Sequence, residues 1–487
     1  MIDPWYSSTI LYADWGLRLV FAARVLLRRA PVPVPVALAW LVVLLSLPFA
    51  GWIAYLMFGE PRLGLWRAKR FGRLAEEMDQ RAARLWAHRS EEGDAANPVN
   101  AQIAALGTAV GGLPPLRGNK LRLLADSEQM LDALIADIDS AREHVHILVY
   151  IWQASGGGVL VGEALIRAVA RGVECRVLVD AVGSKKFLRS QLRKRMVAAG
   201  VEVNAALPVS ALRAVFSRLD LRNHRKIAVI DGRVAFSGSQ NISDRTFRSK
   251  RRAGLGSWID ATLRIEGPAA QALAVVFLID WQLDSGQDMR QVVRYLPELG
   301  RPKDDACIVQ VVPSGPGTMP QAIQQAILTT IYSAREELLI TTPYFVPDDA
   351  TKSALRSAAM RGVQVTVVVP EVLDSRLTAA ASRSHFLELM EAGVRIALFQ
   401  GGLLHAKTIT ADRRIAVVGS ANLDMRSFAL NFEVTMFIYD DDFSSVVRFL
   451  QTDYLGKSVE LDLATWRARR WYRVAVDNAA QLLGPLL

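Results

Sequence analysis

The sequence predicts an α/β protein in which two copies of one domain follow an apolar N-terminal segment. After Leu121, short strand-like runs such as CRVLVDAV alternate with helical patterns such as VLVGEALIRAVARG, and this alternation is typical of α/β folds. One polar motif occurs twice, and the first sixty residues contain a long uncharged stretch. We therefore expect a membrane region over 1–58, a basic linker helix over 59–118, and two similar domains over 119–295 and 296–487.

The uncharged stretch runs from Val36 to Phe58 and reads VALAWLVVLLSLPFAGWIAYLMF. About 20 apolar residues cross the roughly 30 Å core of a bilayer, so this stretch predicts a transmembrane helix. A second apolar stretch, residues 10–27, carries Asp14, Arg18 and Arg24. It fits either a first span, giving a hairpin, or a helix lying in the membrane interface.

Basic residues after residue 58 predict the orientation of this segment. Five lysines and arginines lie between residues 62 and 73, and the positive-inside rule then puts the large C-terminal part in the cytoplasm. Arg28 and Arg29 argue in the other direction. The sequence thus predicts a protein of the bacterial cytoplasmic membrane whose catalytic domains face the cytoplasm.

Composition limits the classes of partner and cofactor. The net charge of +10 favours a polyanionic partner, such as nucleic acid, an anionic membrane or a phosphate substrate. Cys175 and Cys307 each lie in a short apolar run, so we expect two core residues and no disulfide. No closely spaced Cys/His set is present, and we expect neither a metal nor another cofactor.

The motif H-x-K-x4-D-x6-G-S-x-N begins at His224 and again at His405, a constant offset of 181 residues. Upstream, ALIRAVARGVECRVLVD parallels ALRSAAMRGVQVTVVVP. A repeat this long indicates a duplicated domain and not a solenoid. We expect the two domains to pack face to face, so that both motifs meet at one interface.

The histidine and lysine of each motif suit chemistry on a phosphodiester. Residues i and i+2 of an extended strand point to one face, so Lys226 should accompany His224, and Lys407 should accompany His405. The ammonium groups can hold phosphate oxygens. One imidazole can attack phosphorus while the other protonates the leaving alkoxide. The remaining histidines are expected to be structural: His88, His144, His146 and His385.

The motif aspartates, Asp231 and Asp412, complete the set of candidate catalytic residues. They could shape the charge of the site. Both, however, stand at turns that close a strand, and turn chemistry favours a structural role for aspartate at such positions.

The doubled motif closely resembles that of the phospholipase D superfamily. More of the chain, including YIWQASGGG, DAVGS, RNHRK, PYFVPD, SANLDMRSFALNFEV and the final LLGPLL, resembles the bacterial cardiolipin synthase family. The resemblance implies two phospholipase D-like domains and transfer of a phosphatidyl group from one phosphatidylglycerol to another, giving cardiolipin and glycerol through a phosphohistidine. Its implied partners are phosphatidylglycerol and anionic membrane lipids, without nucleic acid; a homo-oligomer is compatible with it.

The resemblance also implies roles for individual residues. The N-terminal histidine, His224, would attack, and His405 would act as the acid. An acidic residue downstream of each histidine would orient it: Asp260 for His224 and Glu433 for His405. Basic neighbours around His224 favour a neutral imidazole. The residues expected to line the phosphate pocket, with turn capping as the alternative, are Ser239, Asn241, Ser420 and Asn422.

Two further segments have two interpretations each. Tyr344 either borders the lipid entrance or belongs to the aromatic core. The C-terminal segment TWRARRWYRVAVDNAAQLLGPLL either lies on the bilayer surface or packs as an ordinary helix on the catalytic domain.

Three other functions remain open at this point. A hydrolase would use the same residues with water as the acceptor. A membrane-anchored nuclease would need stacking aromatics along a basic groove, and no basic-aromatic cluster lies near either motif. A non-catalytic scaffold would predict a damaged motif, whereas both copies are complete.

Overall fold

A computed structural model describes residues 4–28, 34–60, 98–208, 218, 220–243, 257–287, 292–299, 306–316 and 321–482. The chain divides into two compact units. One contains Met1–Ala68 with Val209–Leu221, and the other contains Lys69–Pro208 with Arg222–Leu487. Most of the predicted linker helix, together with His88, lies outside the described residues.

The described residues of the first unit form three helices: α1 (Pro4–Leu26), α2 (Val34–Ser46) and α3 (Ala50–Phe58). The single helix expected over 36–58 is therefore two helices. Pro48 lies at the break, and the next residue, Phe49, has a φ of 53°. Proline lacks the backbone N–H that helix continuation needs. Among the described residues, no helix is both long enough and apolar enough to cross a membrane.

Charged residues of α1 are paired within this unit. Asp14 forms a buried ion pair with Arg18 and accepts hydrogen bonds from the Phe49 backbone N–H at 2.8 Å and Trp52 Nε1 at 3.0 Å. Arg24 pairs with Glu60 at 2.8 Å. A buried charge is tolerated only when it is paired and hydrogen-bonded. The partners of these charges lie partly on the segment of α2 and α3, so the contacts join α1 to that segment as a helical hairpin.

The second unit is built around one mixed sheet, which has 16 strands in the described part of the chain. Its strand order is β20-β14-β13-β11-β16-β17-β19-β10-β1-β9-β7-β6-β2-β3-β4, with β5 paired to β19. Its strands, and the short β8, β12, β15 and β18, are β1 (Leu116–Leu124), β2 (His144–Val149), β3 (Glu174–Asp180), β4 (Glu202–Ala206), β5 (Arg222–Asn223), β6 (Ile227–Ile230), β7 (Val234–Gly238), β8 (Trp258–Ile259), β9 (Thr262–Glu266), β10 (Cys307–Ser314), β11 (Glu337–Thr341), β12 (Phe345–Val346), β13 (Gln364–Pro370), β14 (Arg395–Phe399), β15 (Leu403–Leu404), β16 (Thr408–Ala411), β17 (Ile415–Gly419), β18 (Leu423–Asp424), β19 (Asn431–Tyr439) and β20 (Ser458–Glu460).

The duplication is visible in the strand order. Reading outward from the centre, β1-β9-β7-β6-β2-β3-β4 of the first half matches β10-β19-β17-β16-β11-β13-β14 of the second. The halves join where β1 pairs antiparallel with β10, Leu116 opposite Val309. The expected face-to-face packing is thus wrong in one respect, because the halves also join edge to edge in one sheet. This pairing covers sheet edges that would otherwise be exposed.

Helices cover the sheet, as expected for an α/β fold. They are α4 (Pro98–Gly111), α5 (Ser127–Ser140), α6 (Gly157–Ala170), α7 (Lys185–Leu188), α8 (Gln191–Ala198), α9 (Pro268–Ser285), α10 (Ala322–Ser333), α11 (Asp349–Met360), α12 (Arg376–Ser384), α13 (Phe386–Glu391), α14 (Met425–Ala429), α15 (Asp441–Gly456), α16 (Leu463–Arg467) and α17 (Trp471–Gln481), with a 3-10 turn at Val292–Tyr295. The helix α9 is buried over most of its length, and it contacts strands on both sides of the β1–β10 junction.

Neither the two cysteines nor the described histidines outside the motifs line the pocket that contains His224 and His405. Cys175 is buried, Cys307 is partly buried, and neither forms a disulfide, as predicted. His144 and His146 are buried beside Tyr295. His385 is also buried, between α12 and α13.

Candidate active site

The two motif histidines line one pocket of about 370 Å³. Each lies just before a central strand, His224 before β6 and His405 before β16. Short parallel pairings bring the halves together here, β5 with the start of β19 and β15 with β8. Chain segments that precede each histidine are thus paired with the segment of the other half that carries an acidic residue.

Those pairings give each histidine a carboxylate from the opposite half. His224 Nδ1 lies 3.1 Å from Glu433 Oε1, and His405 Nδ1 lies 2.6 Å from Asp260 Oδ1. The sequence-based pairing, Asp260 with His224 and Glu433 with His405, is therefore wrong. Distance along the chain suggested a partner within the same half, whereas β5 and β8 exchange partners across the halves.

A carboxylate at Nδ1 fixes the tautomer of each ring. Nδ1–H donates to the carboxylate, which leaves the lone pair on Nε2 for chemistry. Of the two rings, His224 is the more accessible, with 14% of its side chain exposed against 5% for His405.

The motif serines hold these carboxylates and do not line the pocket. Ser239 Oγ donates to Asp260 Oδ1 at 2.7 Å, and Ser420 Oγ donates to Glu433 Oε2. Both serines are fully buried. Their expected role as direct phosphate ligands is therefore wrong, because both hydroxyl groups are already committed to the acid that orients a histidine.

The motif asparagines, in contrast, line the pocket. Asn241 Oδ1 accepts a hydrogen bond from the Ile151 backbone N–H at 3.0 Å. This contact fixes the amide, so that its NH₂ group is the part left for a ligand. The Asn422 backbone N–H donates to Ser427 Oγ at 3.2 Å.

The motif lysines curl back beside their histidines. Lys226 Nζ donates to the His224 carbonyl oxygen, and Lys407 Nζ donates to the His405 carbonyl oxygen, both at 2.6 Å. Both side chains are buried. Lys226 Nζ also lies 3.3 Å from His224 Nδ1, so the first ammonium group lies next to its imidazole.

Arg225, between the first histidine and lysine, connects the halves. Its guanidinium pairs with Asp280 of α9 at 2.7 Å. It also donates to the carbonyl oxygens of Glu433 and Ser314, both at 3.0 Å. Because both carbonyls belong to the second half, this buried side chain holds the first motif against the second half.

The motif aspartates lie at the far ends of their strands. Asp231 is roughly 13 Å along β6 from Ile227 at 3.3 Å per residue. Its carboxylate accepts hydrogen bonds from the backbone N–H groups of Arg142, Glu143 and His144 at 2.8–2.9 Å. Asp412 makes the equivalent contacts in the second half. Both aspartates therefore close a turn, the role that turn chemistry favoured, and neither lines the pocket as a catalytic residue would.

Burial dominates the electrostatics of the pocket. It lowers the pKa of Lys226 to about 8 and that of Lys407 to about 7. Burial and Lys226 also lower the pKa of His224, and burial and Lys407 lower that of His405 to about 4 despite Asp260. Burial therefore disfavours a proton on either imidazole, including that of the expected acid, His405.

The carboxylates remain ionised. Burial acts to raise the pKa of Asp260, but His405 and Lys407 lower it to about 2. The pKa of Glu433 is also lowered, because His224 and Lys226 outweigh its burial. Each imidazole therefore contacts a carboxylate that stabilises positive charge on the ring.

Several pocket residues escaped the sequence analysis. Tyr150 contacts the His224 ring, with centroids 4.5 Å apart, and Trp258 contacts the His405 ring at 4.7 Å. Tyr344, which the sequence analysis did name, lines the pocket and donates a hydrogen bond to Asp374 Oδ1 at 2.8 Å. Arg222 and Arg426 also line the pocket, as do Asp374 and Asp424. The RNHRK lead-in and the DMRSF segment contained the signal for the arginines, whereas Asp374 follows no pattern.

Comparison with known proteins shows the family of the chain. A family model described as "Cardiolipin synthase, PLD-like domain" matches residues 134–277 and 327–450. Cardiolipin synthase A of Yersinia pseudotuberculosis serotype O:1b (strain IP 31758) is 41% identical over 501 residues, covering 100% of this chain and 99% of the relative. The chain belongs to the cardiolipin synthase family.

Other matches extend this family assignment. Cardiolipin synthase A of Serratia proteamaculans (strain 568) is 40% identical over 486 residues, covering 99% of this chain and 98% of the relative. A model described as "Phospholipase_D-nuclease N-terminal" matches residues 18–60. The crystal structure of phosphatidylserine synthase from Haemophilus influenzae Rd KW20 covers 79% of this chain and 100% of its own, with a TM-score of 0.60 and 16% identity. This cardiolipin synthase family member therefore shares the fold of that enzyme.

Proposed function

We propose that the protein is a cardiolipin synthase that transfers the phosphatidyl group of one phosphatidylglycerol to a second and releases glycerol. The main observation behind this proposal is that two histidines, each with a carboxylate at Nδ1 and a lysine beside it, line a single pocket. The full-length similarity to cardiolipin synthase A supports the choice of substrate.

In the first half-reaction, His224 Nε2 attacks phosphorus and the bond from phosphorus to the glycerol oxygen breaks. His405 gives that oxygen its proton, so glycerol leaves neutral. The greater accessibility of His224 supports its role as nucleophile. Glu433 stabilises the positive charge that develops on the ring when the nitrogen–phosphorus bond forms.

The acid must carry a proton, although burial of His405 disfavours one. A phosphodiester anion bound between the lysines adds negative charge beside His405. Its pKa then rises from about 4, because a nearby opposite charge favours the imidazolium. Asp260 stabilises the same charge through Nδ1.

In the second half-reaction, a hydroxyl of a second phosphatidylglycerol attacks the phosphohistidine. Neutral His405 takes the hydroxyl proton, the new oxygen–phosphorus bond forms, and the nitrogen–phosphorus bond breaks. His224 returns to its starting form and His405 again holds the proton. Lys226, Lys407 and the NH₂ group of Asn241 hold the phosphoryl oxygens in both steps.

We also propose that the N-terminal unit inserts into the bacterial cytoplasmic membrane. The second unit, which contains the active-site pocket and is called the catalytic unit below, would then lie on the cytoplasmic side. Large apolar side chains are exposed along all three of its helices, for example Val20, Val42 and Ile53. Exposed apolar area of this kind is typical of a membrane contact. Basic residues between 62 and 73 support the orientation.

The deciding experiment incubates the purified full-length protein with vesicles of labelled phosphatidylglycerol and resolves lipid and water-soluble products. Cardiolipin and glycerol should appear in equal amounts. Phosphatidic acid without cardiolipin would instead indicate a hydrolase, and no lipid product would contradict both. His224→Ala and His405→Ala proteins, prepared in the same way, control for contaminating activity.

A further inference from the structure

The C-terminal helix α17 exposes an unusual apolar surface. Trp471 is 81% exposed and Leu482 is 82% exposed. Together with Val474, which is also exposed, they recur at spacings of three and eight residues, which places them on one side of the helix. The opposite side carries the buried residues Asp477 and Ala480. The helix thus packs with one face and leaves an apolar stripe outward.

We propose that this stripe, which we call the docking face (Trp471, Val474 and Leu482, with Tyr472 beside it), seats the catalytic unit on an anionic lipid bilayer. The proposal rests on the proposed function, since it names the surface from which that site takes its lipid. It concerns the catalytic unit alone and is separate from insertion of the N-terminal helices.

The docking face lies one helix away from the active-site pocket. The helix α17 packs against α12, and Ala480 joins a buried cluster with Val346, Ala380 and Ala381. Val346 lines the pocket, as do Ser375 and Thr378 at the start of α12. A bilayer in contact with the docking face would therefore lie about one helix diameter, roughly 10 Å, from a wall of the pocket.

Charge favours an anionic bilayer as the occupant. Arg469 and Arg470 directly precede Trp471, and Arg473 lies in the first turn of α17, on the side away from the stripe. The acidic residue of α17, Asp477, is buried and pairs with Arg383 at 2.9 Å and with Arg469, so its charge is compensated. Tryptophan and tyrosine beside arginine are typical of helices that lie at a membrane interface.

The helix is already ordered before it meets the membrane. An isolated helix of 11 residues is marginal in water, but the ion pairs of Asp477 and the burial of Ala480 hold α17 on α12. Binding therefore does not have to supply the free energy of helix formation, which would otherwise weaken it.

The test places an environment-sensitive fluorophore on a cysteine in the full-length protein. Val474→Cys lies in the docking face. Met360→Cys is the matched control, because Met360 is 74% exposed at the end of α11, roughly 16 Å along that helix from its start next to the pocket. The unsubstituted chain gives the background from Cys175 and Cys307.

With vesicles of phosphatidylglycerol, the label at 474 should shift to the blue, be quenched by spin-labelled lipid and be shielded from iodide. The label at 360 should remain open to iodide. Equal iodide quenching at both positions would overturn the proposal. Shielding at 474 that rises with protein concentration in the absence of vesicles would also overturn it, in favour of a second copy of the chain.

An activity measurement adds a second readout. In Trp471→Glu, the ratio of activity on vesicles to activity on dissolved short-chain phosphatidylglycerol should fall about tenfold, the scale of losing one buried aromatic contact. An unchanged ratio would count against the docking face. The fluorescence result is independent of catalysis, so a wild-type protein that makes no cardiolipin would contradict the proposed function and leave the docking face standing.

Discussion

His224 and Glu433 face each other across the two halves of the catalytic unit, with Nδ1 and Oε1 3.1 Å apart. Asp260 and His405 repeat the relationship in the opposite direction at 2.6 Å. Each half therefore supplies a histidine to one catalytic set and a carboxylate to the other. Neither half contains a complete set, so the duplicated domain depends on its partner half for chemistry.

This exchange predicts different defects for the two carboxylates. Glu433→Gln should slow formation of the phosphohistidine by about 10² or less, the usual range for a residue that orients a functional histidine. Asp260→Asn should instead weaken the acid. Rates should be compared on phosphatidylglycerol and on an analogue with a nitrophenol leaving group, which needs no proton.

With the activated analogue, Asp260→Asn should recover toward wild-type adduct formation and Glu433→Gln should not. The opposite pattern would return each acid to the histidine of its own half. Asp349→Asn, whose side chain is 98% exposed, is the matched control for loss of a carboxylate.

The histidines predict a second difference. His224→Ala and His405→Ala should both nearly abolish synthesis of cardiolipin, since each histidine acts in both half-reactions. With the activated analogue, His405→Ala should still form an adduct labelled with phosphorus, whereas His224→Ala should form none. An acid-labile adduct on His405 would exchange the two roles, and the absence of an adduct from every protein would favour direct displacement.

The lowered pKa values of the two lysines predict that activity falls as the pH rises, at a lower pH than for ordinary lysines. Burial lowers the pKa of Lys226 to about 8 and that of Lys407 to about 7, against about 10.4 for an exposed lysine. As the pH rises through this window, the ammonium groups of the free enzyme lose their charge and hold phosphate less well. The value of kcat/KM should therefore fall between about pH 7 and 8.

Lys407→Arg should move that fall to higher pH, because a guanidinium stays charged. Measurements on the activated analogue avoid the contribution of the acid. A value of kcat/KM that stays level to pH 10 in the wild type would show that the lysines remain charged and would contradict this account.

The predictable part of this structure follows from local pattern, and the rest from pairing between distant segments. The motif repeat located both histidines and both lysines, and the alternation of strands and helices indicated the α/β class. Partner choice for Asp260 and Glu433 could not be read from spacing, because β5 and β8 pair across the halves. The role of the two serines was predicted wrongly for a different reason, because a hydroxyl group can donate a hydrogen bond equally well to a phosphate and to a carboxylate. Pro48 lies within the stretch for which one helix was predicted, and the positive φ of Phe49 divides that stretch into two helices.

The motif aspartates predict a loss of stability without a loss of chemistry. Asp231→Ala removes the acceptor of three backbone N–H groups and puts alanine at a φ of 49°. This should cost about 2–3 kcal/mol. Asp231→Asn keeps one oxygen and tolerates positive φ, so its loss should be smaller.

Denaturant unfolding measures both changes, and activity per folded molecule should stay within about twofold of wild type for a surface turn of this kind. A rate that falls by a hundredfold in protein shown to be folded would restore Asp231 to the catalytic set.

The N-terminal unit and the docking face together predict two grades of membrane attachment. In the full-length protein, the exposed apolar helices α1–α3 should resist extraction by alkali and by high salt, because burial of apolar side chains in lipid is insensitive to ionic strength. Removal of residues 1–60 should leave attachment through the basic and aromatic docking face, which high salt weakens because part of it is electrostatic. Sedimentation of membranes after each wash measures the difference.

Release of the full-length protein by salt would contradict insertion of the N-terminal helices. A truncated protein that stays bound in high salt would show that the catalytic unit holds lipid mainly through apolar contact, and a truncated protein that never sediments would remove the docking face from the account.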